Sequence, residues 1–350
     1  MKKRPTIVDI AKVAGVTDGT VSRALANDPR VRPETRTRIV EAAKKLNYRP
    51  HLSARFFKQG ITKNIGVYVE TGAWVFAHHY FGRLLAGLAE AAQVEGEHLV
   101  FYLPPRDDAP VRSTLVKLEG LDAVMDGRVD GAVVLGGDRI PAADRQKLTD
   151  SGLPVVFLSN NFEIPGAFQI LSGAYERTRA AADHLYSMGH RRIGLSGYYQ
   201  DAHYMQASIK GLRDFYEACR LPCNDRFIET PTGEHFFDLQ DLRRRLSRMR
   251  DNGVTALIST ELAEAIMVMD LMASEGMVIP RDMSLVSFGP MWWGGLTRKP
   301  KLTTFDVDLK ESGARCFRMF KQAREHTKPR VENMEWKMTP GGETLAPPRD

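Results

Sequence analysis

The sequence predicts a small all-α head at the amino terminus, followed by an α/β core of two doubly wound parallel-sheet lobes. Three observations favour this fold class. Residues 6–57 show helix caps and helical spacing, the positive charge of the chain is concentrated there, and the remainder alternates strand-like with helix-like segments. The chain has 350 residues, which is long enough for a head and a core of two lobes.

Three short helices are predicted in the head. Thr6 can cap the first helix together with Asp9, and Gly15 can end that helix in a left-handed turn. Thr17 can cap a second helix, and a third helix is expected to begin at Pro33. Because the first two helices are joined by a short glycine-containing turn, they are predicted to form a helix-turn-helix.

The charge of the head indicates what it binds. Residues 1–60 hold 14 Lys and Arg against 5 Asp and Glu, a net charge of +9, whereas the whole chain carries +6, so the remainder is weakly acidic. A helical bundle that contacts only proteins is the alternative, but such a concentration of charge on one small unit is typical of a phosphate binder. The arginines expected to face outward are Arg23, Arg30, Arg32, Arg36 and Arg38.

Strand-like and helix-like segments alternate after the head, which predicts parallel sheets covered on both faces. The predicted strands are Ile65–Val69, Leu99–Leu103, Ala132–Leu135, Val155–Leu158, Ile193–Leu195, Ala256–Ile258 and Leu285–Phe288. The predicted helices are Phe81–Val94, Ala142–Ser151, Tyr175–Met188, Met205–Cys219, Leu239–Met249, Leu262–Glu275 and Leu309–Ala323.

The first 67 residues also contain a nearly continuous set of residues at family-specific positions. They are Asp9-Ile10-Ala11, Ala14-Gly15-Val16, Thr20-Val21-Ser22-Arg23, Thr35-Arg36, Ala42, Leu46, Asn47-Tyr48, Pro50, Ala54-Arg55 and Ile65-Gly66-Val67. This set resembles the Lac repressor (LacI/GalR) family of bacterial transcription regulators. The resemblance implies two similar lobes joined by three crossovers, with a cleft between them, as in periplasmic sugar-binding proteins.

The resemblance also divides the chain into four parts. They are a helix-turn-helix DNA-binding domain (residues 1–49), a hinge helix and linker (50–61), a two-lobed effector-binding and dimerisation core (62–340) and a C-terminal tail (341–350). The tail is rich in Pro and Gly and is expected to be loose. Because it lacks the heptads that would build a tetramer, a homodimer is expected.

In the family the second helix enters the major groove of double-stranded operator DNA. The resemblance therefore assigns base discrimination to Asp18 and Gly19, of which only Asp18 has a side chain that can accept from a cytosine amino group. Arg23 can donate two bonds to a guanine edge, while Thr20 and Ser22 suit phosphate contacts. The full expected DNA-binding set is Thr6, Thr17, Asp18, Gly19, Thr20, Ser22, Arg23, Arg30, Tyr48, His51, Ala54, Arg55 and Phe57.

The segment from Pro50 to Phe57 resembles the family's hinge helix, which inserts an apolar side chain into the minor groove. Phe57 stands at the position where the family usually places Leu, and His51 stands where it commonly has Asn. Phenylalanine can still unstack and kink a base step. The alternative for Phe57 is ordinary packing against the core.

The effector-binding positions depart from the family. Where members hold a ligand with Arg, this chain has Ser208 or a neighbour, and Glu261 replaces the usual Asn-Asp opening of a later helix. Aromatic residues follow two core strands, where α/β proteins bind ligands; their alternatives are lobe packing or a dimer surface. The expected effector-binding set is Trp74, Phe76, Tyr80, Asn160, Ser208, Glu261, Trp292 and Trp293.

The expected function is a repressor that binds a pseudo-palindromic operator as a dimer. Its binding is expected to be controlled by a small, sugar-like molecule such as a carbohydrate. One alternative is the same DNA-binding regulator without a sugar-like effector, controlled by a protein or by its own level. Another is a sugar-binding protein or enzyme with a vestigial head.

Catalytic and metal sites are not expected. The sequence has no phosphate-binding loop and no zinc-protease pair, and the adjacent His78 and His79 would point in opposite directions on a strand. Its 3 cysteines cannot all pair. Because no secretory signal and no apolar run of membrane-spanning length is present, a cytoplasmic protein is expected. No cofactor is expected either.

Overall fold

The computed structural model describes residues 5–25, 28–46, 48, 61–69, 75–76, 78–103, 127–138, 140–197, 203–231, 238–289, 302–342 and 345–346. The chain divides into two compact units, Met1–Thr62 and Lys63–Asp350. The first unit contains the head, and the second contains both lobes of the core.

The described part of the head consists of three helices: α1 (Ile7–Ala14), α2 (Asp18–Leu25) and α3 (Pro33–Lys45). Gly15 ends α1 in the left-handed conformation at φ 63°, which a glycine adopts without steric cost. Ile10, Val21 and Ile39 contribute one fully buried side chain from each helix to a shared core. The helical spacing of the sequence thus predicted this bundle.

The amino-terminal lobe is a parallel sheet of six strands in the order β11-β5-β4-β3-β1-β2. The strands are β1 (Asn64–Val69), β2 (His98–Tyr102), β3 (Ala132–Leu135), β4 (Val155–Asn160), β5 (Phe168–Leu171) and β11 (Val331–Asn333). Helices α4 (His79–Val94) and α10 (Leu309–Arg324) pack in one apolar cluster, while α5 (Ala142–Asp150) packs in another. The two clusters contain alternating residues of the central strands and therefore lie on opposite faces of the sheet.

Helices α4 and α10 touch through glycines. A β-carbon on Gly87 of α4 would lie 1.9 Å from the carbonyl oxygen of Lys310, and one on Gly313 of α10 would lie 2.0 Å from that of Leu84. Neither distance leaves room for a methyl group, so the two glycines allow the helix backbones to approach closely.

The carboxy-terminal lobe is also a six-stranded sheet, in the order β12-β10-β9-β8-β6-β7. Its strands are β6 (Ile193–Ser196), β7 (Ile228–Glu229), β8 (Ala256–Ser259), β9 (Ser284–Phe288), β10 (Thr303–Val307) and β12 (Trp336–Thr339). Its helices are α6 (Ala174–Ser187), α7 (His203–Ala218), α8 (Leu239–Asp251) and α9 (Leu262–Ser274). Only β12 runs antiparallel to its neighbour among the described strands.

Three short connections join the lobes, as the resemblance implied. Residues 172–173 lead from β5 into α6, Asp308 leads from β10 back to α10, and residues 334–335 lead from β11 to β12. Strands β5, β7, β10, β11 and β12 were not predicted from the sequence. They have two to five residues, and several mix polar with apolar side chains, so neither their length nor their alternation distinguishes them from loops.

The expectation of a loose C-terminal tail is wrong for the part of it that the structure describes. The backbone oxygen of Ala346 accepts from His190 Nε2 at 2.8 Å and from the Ser284 hydroxyl at 2.9 Å, and Leu345 packs against the carboxy-terminal lobe. The composition of the tail did not reveal these contacts because His190 and Ser284 lie far from it in sequence.

Candidate DNA-binding head and interlobe site

The start of α2 is fixed by threonine hydroxyls. The Thr17 and Thr20 hydroxyl oxygens lie 2.9 Å apart, and the Thr20 amide donates to Thr17 Oγ1 at 3.3 Å. Likewise Thr6 caps α1 in a capping box, in which the Thr6 amide donates to Asp9 Oδ2 at 2.8 Å. These contacts cap the amino-terminal ends of the two helices of the motif.

The side chains expected to contact DNA lie on the outer surface of α2. Thr17, Asp18 and Arg23 are exposed, whereas Gly19, Thr20 and Ser22 are half-buried. Asp18 Oδ1 accepts from the Gly19 amide at 2.8 Å, and Arg23 Nε donates to the Gly19 carbonyl oxygen at 3.3 Å. The second bond uses only Nε, so the two terminal nitrogens of Arg23 keep the geometry for bidentate donation.

Two of the arginines expected to face outward have local partners. Arg30 forms an ion pair with Asp28 at 2.7 Å, and this holds the pKa of the Asp28 carboxyl well below its usual range. Arg36 is half-buried and donates to the Asp28 carbonyl oxygen at 2.6 Å. Arg36 therefore supports the connection between α2 and α3, and the expectation that it faces outward is wrong.

The other expected DNA contacts fall into two groups. Tyr48 packs against the apolar core of the head, and its amide donates to the Ala43 carbonyl oxygen at 2.8 Å. The hinge residues lie outside the described residues. They are His51, Ala54, Arg55 and Phe57.

In the core, the strand order reverses direction at the same place in each sheet. The reversal falls between β1 and β3 in the amino-terminal lobe and between β6 and β8 in the carboxy-terminal lobe. Ligands of open parallel sheets bind beyond the carboxyl ends of strands at such switch points. The carboxyl ends of both sheets therefore define the candidate interlobe site.

Tyr80 links α4 to the carboxyl end of β4 and to the third crossover. Its hydroxyl lies 2.8 Å from the Ser159 hydroxyl and 3.4 Å from the sulfur of Met334, and burial raises the pKa of Tyr80. Ser159 occupies the left-handed region at φ 68°, next to a bulge in the pairing of β4 with β5. Strained residues of this kind concentrate at binding sites.

On the carboxy-terminal side, Arg177 of α6 and Glu261 face the same region. Arg177 is 6% exposed, and its guanidinium carbon lies 5.0 Å from the centre of the Phe288 ring at the end of β9. Glu261 Oε1 accepts from the Tyr204 hydroxyl at 3.1 Å, and burial raises the pKa of Glu261 to about 7. Arg177 interacts electrostatically with Tyr80 and Glu261, which places all three in one neighbourhood.

A second polar group bridges the ends of β3, β4 and β5. Asp138 accepts from the Asn161 backbone amide at 2.9 Å and from its side chain at 2.6 Å, and the Ser172 hydroxyl donates to Asn161 Oδ1. Burial raises the pKa of Asp138. His203, at the start of α7, contacts Phe162 with ring centres 5.9 Å apart, so this group also meets the carboxy-terminal lobe.

A buried charge network supports the switch point of the carboxy-terminal lobe. Arg245 Nη1 lies 2.7 Å from Glu264 Oε1 and donates to the Ser196 hydroxyl at 2.7 Å, while its Nε donates to Asp241 Oδ2 at 2.8 Å. Ser259 also donates to Glu264. Because Ser196 and Ser259 end β6 and β8, the network fixes the two strand ends beside the site.

The structure brings only part of the expected effector set together. Tyr80 and Glu261 lie in the interlobe site, whereas Phe76 is half exposed and packs edge-on against Phe101 of the edge strand β2. Asn160 is fully buried and anchors a loop by donating to the Phe162 carbonyl oxygen and Gln169. Ser208 is fully buried within α7. Trp74, Trp292 and Trp293 lie outside the described residues.

Sequence reasoning missed Arg177 and Asp138. A signal for Arg177 was present, because Ala174, Ala181 and Leu185 define a buried helix face on which an arginine at position 177 also falls. A charged residue at a core position of this spacing indicates a special role. Asp138 follows a glycine pair after β3 and carried no comparable signal.

Neither a metal site nor a membrane span is found within the ranges that the structure describes. No group of three or more His, Cys, Asp or Glu residues is arranged to hold a metal ion there. None of the helices described is both long and apolar enough to span a bilayer.

Comparison with known proteins identifies the class of protein that this chain resembles. Residues 6–51 match the bacterial regulatory proteins of the lacI family, and residues 182–342 match a periplasmic binding protein-like domain. A helix-turn-helix joined to such a two-lobed core defines a DNA-binding transcription regulator. The head thus matches the family that the sequence resemblance indicated, and part of the core matches the two-lobed domain that the resemblance implied.

Curated relatives agree over most of the chain. The probable repressor ExuR of Bacillus subtilis (strain 168) is 25% identical over 81% of this chain and 81% of its own length. The repressor PurR of Mannheimia succiniciproducens is 24% identical over 94% of this chain and 95% of its own. The regulator GalR of Escherichia coli (strain K12) is 26% identical over 85% and 83%. All three are named as transcription regulators, in agreement with the interpretation that the chain is not an enzyme.

Solved structures share the fold. The Lac repressor dimer bound to operator and the anti-inducer ONPF has a TM-score of 0.76 at 21% identity, covering 98% of this chain and 100% of that chain. A complex of the regulator CelR with cellobiose has a TM-score of 0.63 at 21% identity, with the same coverage. These likenesses establish the architecture of head and lobes.

Proposed function

We propose that this regulator represses transcription by binding a pseudo-palindromic operator as a homodimer, with a small, sugar-like molecule between the lobes controlling its affinity for DNA. The observation that carries the proposal is the exposed start of α2 on a capped helix-turn-helix within a strongly basic head. Related structures support it, because one is a dimer bound to operator and another holds cellobiose. Binding to chromosomal DNA would occur in the cytoplasm.

Base recognition is assigned to Asp18 and Arg23. An aspartate accepts from the cytosine amino group and an arginine donates two bonds to guanine, so a G·C pair is expected beneath this part of α2. Thr17, Thr20 and Ser22 are assigned to the phosphate backbone, where hydroxyl donors fix the register of the helix without reading sequence.

The remaining DNA contacts belong to the hinge and the flanks of the head. Phe57 is the proposed minor-groove wedge, with His51, Ala54 and Arg55 beside it. Thr6, Arg30 and Tyr48 are proposed to contact the backbone, although the Asp28 partner reduces the charge that Arg30 offers to a phosphate.

The dimer contact is assigned to the outer edge of the amino-terminal lobe. Strand β2 is an edge strand, and Phe76, Phe101 and Leu103 beside it are 50%, 37% and 40% exposed. An edge strand with exposed apolar side chains is a site of association unless it is covered. Phe101→Glu is therefore expected to shift the protein from dimer to monomer in sedimentation analysis, whereas an unchanged dimer would place the contact elsewhere.

Control by a ligand requires two states of the core. Tyr80 belongs to the amino-terminal lobe and Glu261 to the carboxy-terminal lobe, so a molecule that contacts both favours the closed arrangement. Such a molecule changes DNA binding only by the difference in its affinity for the two states. Trp74, Trp292 and Trp293 are proposed to stack on the ring of this molecule.

Operator selection from a random duplex library tests the proposal. The wild type is expected to enrich a two-fold related sequence, and its affinity should fall by about a thousandfold or more between roughly 50 and 200 mM salt. Arg23→Ala should relax discrimination at one base pair by about 1–3 kcal/mol. Arg243→Ala removes the same charge from the exposed surface of α8 and is the matched control. Enrichment of no duplex sequence by the wild type would contradict the proposal.

A further inference from the structure

Arg177 is a buried cation without a charge partner in the part of the core that the structure describes. Its side chain lies on α6, is 6% exposed, and forms no ion pair and no hydrogen bond with any described residue. Its Nε atom is fully enclosed and lacks a hydrogen-bond partner. The contact that is present is the stacking over the Phe288 ring at 5.0 Å.

A buried guanidinium group without an anionic partner lowers the stability of the folded protein. An enclosed guanidinium group loses its hydration, and a single ring face replaces only a small part of it. Arg245 in the same lobe shows the usual solution, since its guanidinium is shared between Glu264 and Asp241. Arg177 lacks this compensation, and burial accordingly lowers its pKa.

The groups around Arg177 do not replace the missing anion. Glu176, Glu261 and Asp306 are near enough to interact electrostatically with Arg177, but none of them forms an ion pair with it. Burial raises the pKa of the Glu261 and Asp306 carboxyl groups, and carboxyl groups can form hydrogen bonds with the hydroxyl groups of a ligand. Tyr80 supplies a further hydroxyl from the other lobe.

We propose that Arg177 anchors the acidic group of a small polyhydroxylated anion, a sugar acid or a sugar phosphate, in the interlobe site. This assignment rests on the proposed function, in which a small molecule binds between the lobes, and it specifies the class of that molecule. A planar guanidinium group donates two parallel bonds to a carboxylate or phosphate. Phe288 holds the guanidinium plane, while Tyr80, Glu261 and Asp306 face the hydroxyl groups.

Binding of this kind also explains how the ligand acts on both lobes. Arg177 and Phe288 belong to the carboxy-terminal lobe, and Tyr80 belongs to α4 of the amino-terminal lobe. An anion held by Arg177 whose hydroxyl groups reach Tyr80 contacts both lobes at once. A neutral sugar would leave Arg177 without its partner and would bind less tightly.

The test uses full-length protein and two sets of probes. Inorganic phosphate probes the anchor alone, by isothermal titration calorimetry and thermal shift. Glucose, glucuronate and glucose 6-phosphate form a matched series that differs only at one carbon, and the galactose and mannose series extend it to other ring configurations. The variants are Arg177→Met and Arg177→Lys. Arg179→Met, two residues along α6 and beside Tyr175, is the matched control.

Wild type and Arg179→Met are both expected to bind phosphate. Both should also bind at least one charged sugar about tenfold or more tightly than the corresponding neutral sugar. Arg177→Met should lose this preference, and Arg177→Lys should keep part of it. The carboxylate and phosphate arms identify which acid is preferred. Without ligand, Arg177→Met should melt at the same or a higher temperature, because it removes an uncompensated buried charge.

Four results would overturn the inference. The first three are preference for the neutral sugars, anion binding that persists in Arg177→Met, and the absence of anion binding in every series. The fourth is a lower melting temperature of unliganded Arg177→Met, which would indicate a purely structural role. Operator binding is measured on the same preparations, so that the failure of this inference, with DNA binding intact, is distinguishable from failure of the proposed function.

Discussion

Replacing Gly87 by alanine should separate two helices that position the interlobe site. The added methyl carbon would lie 1.9 Å from the Lys310 carbonyl oxygen, whereas an ordinary contact between these atoms requires at least 3.4 Å. The obstacle is backbone, so no side-chain rotation relieves it, and α4 and α10 must move apart by more than 1 Å. Overpacking of this kind costs typically 1–3 kcal/mol and occasionally more, and we expect about 3 kcal/mol here.

Displacing α4 and α10 also affects the interlobe site, because parts of that site lie on or next to these helices. Tyr80 lies in the first turn of α4, and α10 begins directly after Asp308, the second crossover between the lobes. Displacing α4 from α10 should therefore weaken ligand binding as well as stability. Urea unfolding monitored by circular dichroism measures the first effect, and calorimetric titration of a bound ligand measures the second.

Gly82→Ala provides the matched control in the same helix. A β-carbon on Gly82 would meet no atom within 4 Å, so the substitution should stabilise the helix by about 0.5–1 kcal/mol through its propensity. Gly313→Ala, on the facing helix, should behave like Gly87→Ala. If Gly87→Ala were as stable as the wild type, the close approach of α4 and α10 would be refuted.

Three further substitutions test other parts of the structure. Thr6→Ala should cost about 1 kcal/mol by removing the cap of α1, and equal urea midpoints for variant and wild type would contradict this. Glu264→Ala should cost about 3–5 kcal/mol by leaving the enclosed Arg245 with a single acidic partner, whereas a loss below about 1 kcal/mol in urea unfolding would show that the network is not a unit. Glu261 has a pKa of about 7 in the folded protein, above its usual value of 4.5. Between these pH values the folded state binds more protons than the unfolded state, so the free energy of unfolding falls as the pH rises from about 4.5 to 7. Glu261→Gln should flatten this part of the stability profile, and an unchanged slope would contradict the assignment.

The arrangement of elements could be predicted from the sequence because its signals are local. The capping box at Thr6, the left-handed turn at Gly15 and the helical spacing of Ile10, Val21 and Ile39 each depend on a few neighbouring residues. In the core, long apolar strands and amphipathic helices were identified for the same reason. The short strands β5, β7, β10, β11 and β12 were missed because their partners define them: β11, for example, pairs with β5, which lies far away in sequence.

The candidate site was predicted less completely because its residues are distant in sequence and its lobes cross over three times. Tyr80, Arg177 and Glu261 come from α4, α6 and the loop before α9, and no spacing rule relates them. Aromatic residues after a strand pointed to Phe76, but the structure places it against Phe101 on the outer edge of the lobe. Phe101 is distant from Phe76 in sequence, so no local signal predicts this contact.

Arg177 shows why a family pattern can fail at the site while it succeeds for the fold. The pattern records where relatives place their polar anchors, and the loss of those anchors suggested a cleft that relies on aromatic rings. An arginine on a different helix can nevertheless reach the same space, since α6 also begins at the interlobe crossover. A ligand anchor depends on where a charged group ends in space, and several positions of the chain satisfy that condition. On the proposal made above, this chain holds its ligand with a residue that the family pattern does not include, while the crossovers and switch points that create the site are those of the shared fold.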